Sequence, residues 1–84
     1  GTPAFMAPEV ALGHPADSRA DVYGVGTLIF FMLMGHPPAH PWHQQLPDTL
    51  PRDLEHVLAR CLAVSPEQRY ADAGALAAGL GALK

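Results

Sequence analysis

The sequence is poor in cysteine and in charge. It holds one cysteine, Cys61, among 84 residues, which excludes a disulfide framework or a cysteine-rich zinc site formed within the chain. Charged residues make up 15% of it, against about 25% in an average soluble domain. The formal net charge is −3, so the chain lacks the basic surface expected of a partner of nucleic acid. So few charges on a small surface indicate that part of this surface is covered by other protein.

The missing charges are concentrated in the middle of the chain. No Asp, Glu, Lys or Arg occurs from 22 to 47, and the run 22–34 is apolar except for the hydroxyl groups of Tyr23 and Thr27. This run is too long for an average strand of about 5–6 residues. It is too short for a membrane span, which needs about 18 apolar residues or more. The run therefore predicts a helix that is apolar on every side and belongs inside a protein.

The flanking residues predict where this central helix begins and ends. Ser18 is a suitable N-cap, with Asp21 three residues on, and Gly35 is typical of a helix C-terminus. We therefore expect the helix over 18–35. The proline-rich stretch 36–50 is expected to be a loop. Its histidines lie among prolines without a carboxylate or thiol nearby, which does not favour a metal site; these are His36, His40 and His43.

Two further helices are predicted after the loop. The segment 51–63 carries its apolar residues on one stripe, with Pro51 in the first turn. Asp72 is a candidate N-cap for a last helix over 72–84, and the sequence from Ser65 to Gln68 predicts a short capped turn before it. Such short, one-sided helices cannot enclose a helix that is apolar all round. We therefore expect an all-α but incomplete domain, with some central-helix side chains left exposed among Leu28, Phe30, Phe31 and Met32.

Four motifs in this order resemble the C-terminal part of the large lobe of a protein kinase domain. The opening Gly1-Thr-Pro-Ala-Phe-Met-Ala-Pro-Glu9 is similar to the end of the activation segment, with its A-P-E signature. Asp21-Val-Tyr-Gly-Val-Gly26 resembles the D-x-[WY]-x-x-G start of the central helix, and Gly35-His-Pro-Pro38 resembles the G-x-x-P-F that ends it. The stretch from Leu58 to Arg69 resembles the penultimate helix and the turn that closes on an arginine. The chain is thus similar to bacterial Ser/Thr kinases, and 1–12 corresponds to the end of the activation segment and the A-P-E helix.

The resemblance implies that the start of the chain positions the protein substrate. The residues that would form this loop are Gly1, Thr2, Pro3, Phe5 and Met6. In the intact kinase, the Thr2 hydroxyl would bond to the aspartate and lysine of the catalytic loop. For Phe5 and Met6, packing in the core is an alternative that is compatible with this role.

The resemblance also implies two structural roles. Glu9 and Arg69 would form an ion pair through two parallel hydrogen bonds, which would join the start of the chain to its end. The alternative is two solvated surface charges. Asp21 would anchor the catalytic loop by accepting hydrogen bonds from its backbone, and a carboxylate at a helix start is also stabilised by the helix dipole.

The catalytic motifs of the family are missing from the sequence. It has no G-x-G-x-x-G loop, V-A-I-K lysine, H-R-D-x-x-x-x-N or D-F-G, all of which precede A-P-E in kinases. We therefore expect no catalytic residue, bound cofactor or metal in this chain alone, and ATP and Mg²⁺ in an intact cytoplasmic parent that phosphorylates protein Ser/Thr. The expected partners are the protein substrate and the missing remainder of the kinase domain, with no membrane contact. The alternative is a truncated, catalytically dead kinase-like interaction module.

Overall fold

The structure, a computed structural model, describes residues 5–83. Its helices are α1 (Pro8–Ala11), α2 (Ser18–Met34), α3 (Arg52–Leu62) and α4 (Ala73–Gly81), with 3-10 turns at Trp42–Gln45 and Pro66–Gln68. The part of the chain that is described contains no strand, so the predicted all-α class is confirmed. No helix within 5–83 has the length and apolar character needed to cross a membrane.

The long helix α2 organises the fold, since α3 and α4 both pack against it. Phe30 of α2 and Leu58 and Cys61 of α3 are fully buried at the centre of this packing. The crossing of α2 and α3 is close because Gly26 has no side chain. A Cβ atom at Gly26 would lie 2.5 Å from the Cβ of Cys61, which is too close for two carbon atoms that are not bonded to each other.

The two ends of α2 differ in how well they were predicted. Asp17, not Ser18, is the N-cap, and its carboxylate accepts hydrogen bonds of 3.0 Å from the backbone N–H groups of Arg19 and Ala20. The prediction of Ser18 as the cap is wrong, since its hydroxyl instead donates to the carbonyl of Ala71 at 2.7 Å. At the other end, Gly35 is the C-cap as predicted, with a left-handed φ of 79° that glycine adopts without steric cost.

One face of α2 is not covered within the described chain. Leu28 is 54% exposed and Met32 is 76% exposed. The large apolar residues of this helix that are exposed are Val25, Leu28, Phe31, Met32 and Leu33. At helical spacing the first four of them project from one side, here called the outer face of α2. In this chain, α2 is therefore not buried on every side. The exposure of some of its large apolar side chains agrees with the expectation of an incomplete domain.

The segment between α2 and α3 is more ordered than its proline content predicts. Its 3-10 turn places Trp42 in the core, where only 4% of the residue is exposed. The Trp42 ring meets the ring of Phe30 edge-on, with centroids 6.3 Å apart. A single aromatic residue thus fixes a stretch that composition alone indicates to be a surface loop.

The C-terminal half follows its predicted caps in part. Pro51 lies just before α3, which begins at Arg52, and the Asp72 carboxylate accepts a hydrogen bond of 2.9 Å from the N–H of Ala75 at the start of α4. The capped turn predicted from Ser65 is wrong in its bonding. The Ser65 hydroxyl donates to the carboxylate of Glu67 instead of capping the backbone.

Candidate functional site

Within the described residues, a pair of hydrogen bonds joins Glu9 to Arg69, 60 positions apart in the sequence. Glu9 lies on α1, and Arg69 directly follows the 3-10 turn Pro66–Gln68. The Nη1 and Nη2 atoms of Arg69 donate to Oε2 and Oε1 of Glu9 at 2.7 and 2.8 Å. This parallel, two-bond geometry fixes the relative orientation of the two side chains in addition to pairing their charges. It therefore holds α1 against the segment between α3 and α4.

Arg69 is also bonded to the backbone around it. Its Nε donates to the carbonyl of Ala63 at 2.8 Å, and its terminal nitrogens donate to the carbonyls of Val64 and Arg19, each at 3.3 Å. The Arg69 side chain is 0% exposed. Burial of a charge is costly unless it is paired and hydrogen-bonded, and here both conditions are met. Within the described residues no buried side-chain nitrogen or oxygen lacks a partner.

The electrostatics of the pair favour the ionised carboxylate. The hydrogen bonds from Arg69 hold the pKa of the Glu9 carboxyl below its ordinary value, and they outweigh partial burial, which acts in the opposite direction. The ring of Tyr23 lies under the guanidinium carbon of Arg69, at 4.9 Å from the ring centroid. Burial raises the pKa of the Tyr23 hydroxyl, so this hydroxyl stays neutral and is able to donate a hydrogen bond.

A shallow apolar groove lies between α1 and the outer face of α2. It has a volume of about 480 Å³, and its lining includes Phe5, Met6, Asp21 and Leu28. Phe5 and Met6 are half-buried, while Asp21 is exposed at the first turn of α2. The structure therefore brings together three of the residues assigned to substrate positioning and catalytic-loop anchoring. The other residues of the predicted loop, Gly1, Thr2 and Pro3, lie outside the described residues.

A second, larger cavity of about 780 Å³ lies between the segment 36–51 and α3. Its rim carries both signs of charge, from Asp48, Arg52 and Glu55. Within residues 5–83, no three His, Cys, Asp or Glu side chains are grouped as metal ligands would be. The thiol of Cys61 has a pKa raised by burial to about 11, which leaves it a poor nucleophile.

Sequence reasoning did not find two contacts at this site. The D-x-[WY]-x-x-G motif contains Tyr23 but does not indicate its place beneath Arg69. His40 was considered only as a disfavoured metal ligand, whereas its Nε2 lies 3.1 Å from the Tyr23 hydroxyl. Both contacts join residues far apart in sequence, and a local pattern carries no signal for such pairs.

Comparison with known proteins relates the chain to one class of enzymes. No family model matches it. It is 41% identical over 81 aligned positions, covering 82% of the chain, to serine/threonine-protein kinase PkaA of Streptomyces coelicolor. It is 38% identical over 91 positions, covering 89% of the chain, to Pkn1 of Myxococcus xanthus. It is 32% identical over 96 positions, covering 95% of the chain, to PknB of Mycobacterium tuberculosis.

These similarities, with the ordered motifs and the helical fold, identify a part of a protein kinase domain. The chain belongs to the bacterial serine/threonine protein kinases and corresponds to the large lobe from the A-P-E segment onward. It spans 15% of the length of PkaA, 13% of Pkn1 and 15% of PknB. The similarity therefore concerns a small part of each relative.

Proposed function

We propose that this chain is the substrate-positioning and scaffold part of a kinase that, when complete, transfers the γ-phosphoryl group of ATP to Ser or Thr of a protein. The observation that carries this proposal is the two-bond pair between Glu9, which is half-buried, and the fully buried Arg69. It fixes α1, which follows the predicted substrate loop directly in sequence, to the helical core. A loop that orients a substrate hydroxyl must be held in place before reaction, because misplacement by about 1 Å can cost a hundredfold in rate.

The groove beside α1 supports the same proposal. Its apolar lining suits burial by another part of a kinase domain, and Asp21 presents a carboxylate at its edge. A carboxylate accepts hydrogen bonds from backbone N–H groups. We assign Asp21 the role of anchoring the catalytic loop, and Phe5 and Met6 that of shaping the substrate loop together with Gly1, Thr2 and Pro3.

The described residues do not themselves fit a site for Mg²⁺ and ATP. Phosphoryl transfer requires carboxylates that converge on Mg²⁺ and donors that cradle the phosphates. The acidic side chains within 5–83 are not grouped in this way. We therefore derive no step of phosphoryl transfer from this chain, and we assign ATP and Mg²⁺ to other residues of the complete protein.

The first test uses the 84-residue chain alone. Calorimetry with Mg-ATP and a radiolabel transfer assay should show neither saturable binding nor transfer to a Ser/Thr substrate. Saturable ATP binding that is lost when one acidic residue is changed would overturn the proposed division of roles.

The second test uses the protein encoded when the reading frame is extended upstream of Gly1. It should phosphorylate a protein substrate, and Thr2→Ala should lower turnover while nucleotide binding is retained. Asp21→Asn should also lower turnover, whereas Asp48→Asn, which changes an exposed acid outside the groove that Asp21 lines, should not. Equal effects of Asp21→Asn and Asp48→Asn would contradict the anchoring role.

A second candidate function is that of a catalytically inactive interaction module. The exposed outer face of α2 favours it, since a contiguous apolar patch is typical of a protein-binding surface. The upstream reading frame distinguishes the two candidates. Codons for H-R-D and D-F-G support the kinase, whereas a start codon directly before Gly1 supports the module.

A further inference from the structure

Tyr23 contacts two separate parts of the molecule. The face of its ring meets the guanidinium of Arg69 at 4.9 Å, and its hydroxyl lies 3.1 Å from Nε2 of His40. The residue is 4% exposed, so its ring has little room to move independently of these two contacts. Tyr23 therefore physically connects the segment 36–51 to the buried ion pair.

We propose that Tyr23 and His40 couple the conformation of the segment 36–51 to the Glu9–Arg69 pair. A change that loosens the segment should therefore loosen the ion pair, and a change that loosens the ion pair should loosen the segment. The N–H groups of Arg69 are directed at Glu9 and at backbone carbonyls. The guanidinium carbon also lies over the Tyr23 ring, 4.9 Å from its centroid, and the strength of such a cation–π contact depends on the position of the ring. The hydrogen bond to His40 holds the hydroxyl end of the Tyr23 ring and thereby sets that position.

The coupling has a structural consequence at the 780 Å³ cavity. One wall of this cavity is formed by the second half of the segment 36–51, from His43 to Leu50, and the opposite wall by α3. Trp42 fixes the middle of the segment by packing against Phe30, and His40 fixes the part before it. Because a coupling free energy is reciprocal, a ligand or protein that moves the segment at this cavity would also act on the ion pair.

The test begins at His40, which is exposed and can be changed with little risk to folding. In the 84-residue chain, His40→Ala should speed hydrogen exchange at Nε–H of Arg69, followed by NMR, by about threefold or more. Tyr23→Phe keeps the ring and removes the hydroxyl, so it should have a similar effect. If both act through one connection, the double variant should exchange no faster than the faster single variant.

The matched control is His43→Ala. His43 lies on the same segment and stacks on Trp42 with ring centroids 3.8 Å apart, but the Tyr23 hydroxyl is hydrogen-bonded to His40 and not to His43. This control should leave Arg69 exchange unchanged. The proposal is overturned if His40→Ala leaves Arg69 exchange unchanged, if His43→Ala changes it equally, or if His40→Ala and Tyr23→Phe are additive.

An independent test measures the effect of the ion pair on the segment 36–51. Glu9→Gln should raise amide exchange in 36–51 relative to α3, and this increase should be absent when Tyr23 is already Phe. An equal increase in both backgrounds would contradict the coupling. If Glu9→Gln does not fold, the His40 and Tyr23 variants decide the matter on their own, since both residues of the ion pair are unchanged in them.

Discussion

The two faces of α2 are similarly apolar but have very different surroundings. Toward α3, Val22 and Phe30 are 1% and 0% exposed and Gly26 lies in close contact with Cys61. On the outer face, Leu28 and Met32 are 54% and 76% exposed. An exposed Leu is unremarkable by itself, but several large apolar residues on one face indicate a surface that another protein part covers.

This difference shows how a sequence can retain the composition of a larger fold. The absence of charge from 22 to 47 is typical of a helix that is buried on all sides. In this chain, however, α3 and α4 bury only one side of α2. The chain spans 13–15% of the kinases to which it is similar. Under the proposed function, the outer face is the surface that meets the remainder of the kinase domain.

The largest expected effect on stability is at Arg69, which contacts Tyr23 on the buried face of α2. Arg69→Ala removes a fully buried cation and leaves Glu9 without its partner, which should lower the free energy of unfolding by about 3–5 kcal/mol. Denaturant titration followed by circular dichroism measures this change. Arg52→Ala, at an exposed arginine, is the control and should change stability by about 0.5 kcal/mol or less. Equal losses in the two variants would show that the pair is not a structural link.

A pair of glycine substitutions tests the close packing of the inner face. In Gly26→Ala the new Cβ would lie 2.5 Å from Cβ of Cys61, so the helices must move apart, at a cost of about 1–3 kcal/mol. In Gly24→Ala the nearest atom is the carbonyl oxygen of Phe5 at 3.8 Å, an ordinary contact. The gain in helix propensity should then stabilise the chain by up to about 1 kcal/mol. Similar thermal midpoints for the two variants would contradict the observed helix crossing.

The pH dependence of stability tests the electrostatics of the Glu9–Arg69 pair. Because Arg69 lowers the pKa of Glu9 in the folded chain, the pair contributes fully above the pKa of an unfolded-chain glutamate, about 4.3. Its contribution falls as the pH drops through the lower, folded-state value. The difference in unfolding free energy between the natural chain and Glu9→Gln should therefore be largest near pH 7 and shrink toward pH 3. A difference that stays constant with pH would show that Glu9 is not held as a carboxylate by Arg69.

The smallest effect on stability is expected at the outer face. Leu28→Gln with Met32→Gln should change the free energy of unfolding by about 0.5 kcal/mol or less, because these side chains have few neighbours to lose. The same change should reduce binding of an apolar-surface dye and raise solubility. Phe30→Ala, on the inner face of the same helix, should cost about 3–5 kcal/mol. A large loss of stability in the outer-face variant would mean that the chain covers this face itself.

The sequence predicted those features that depend on neighbouring residues. The apolar run and Gly35 predicted a helix over 18–35, and α2 spans Ser18–Met34. The last helix was expected over 72–84 and α4 is Ala73–Gly81. Asp72 is its cap because a carboxylate accepts a bond from the first turn whatever the tertiary fold.

The features that were missed depend on contacts across the fold. Ser18 has the chemistry of a cap, yet its hydroxyl bonds to Ala71, and Asp17 takes the capping role. Trp42 lies in a proline-rich stretch that composition indicates to be exposed, yet it packs against Phe30. The resemblance paired Glu9 with Arg69, whereas residue pattern alone left solvated charges as an alternative. Local chemistry names the groups able to bond, and the tertiary arrangement selects which of them do.

The central claim, that the outer face of α2 is covered in the complete protein, is tested most directly by oxidative footprinting of two methionines on the same helix. In the 84-residue chain, Met32 should oxidise faster than Met34, which is half-buried. In the protein extended along the upstream reading frame, the rate at Met32 should fall to that of Met34 or below, because the added residues cover it. If Met32 reacts as fast in the extended protein as in the isolated chain, the outer face is not an internal surface of a kinase domain and the account is contradicted.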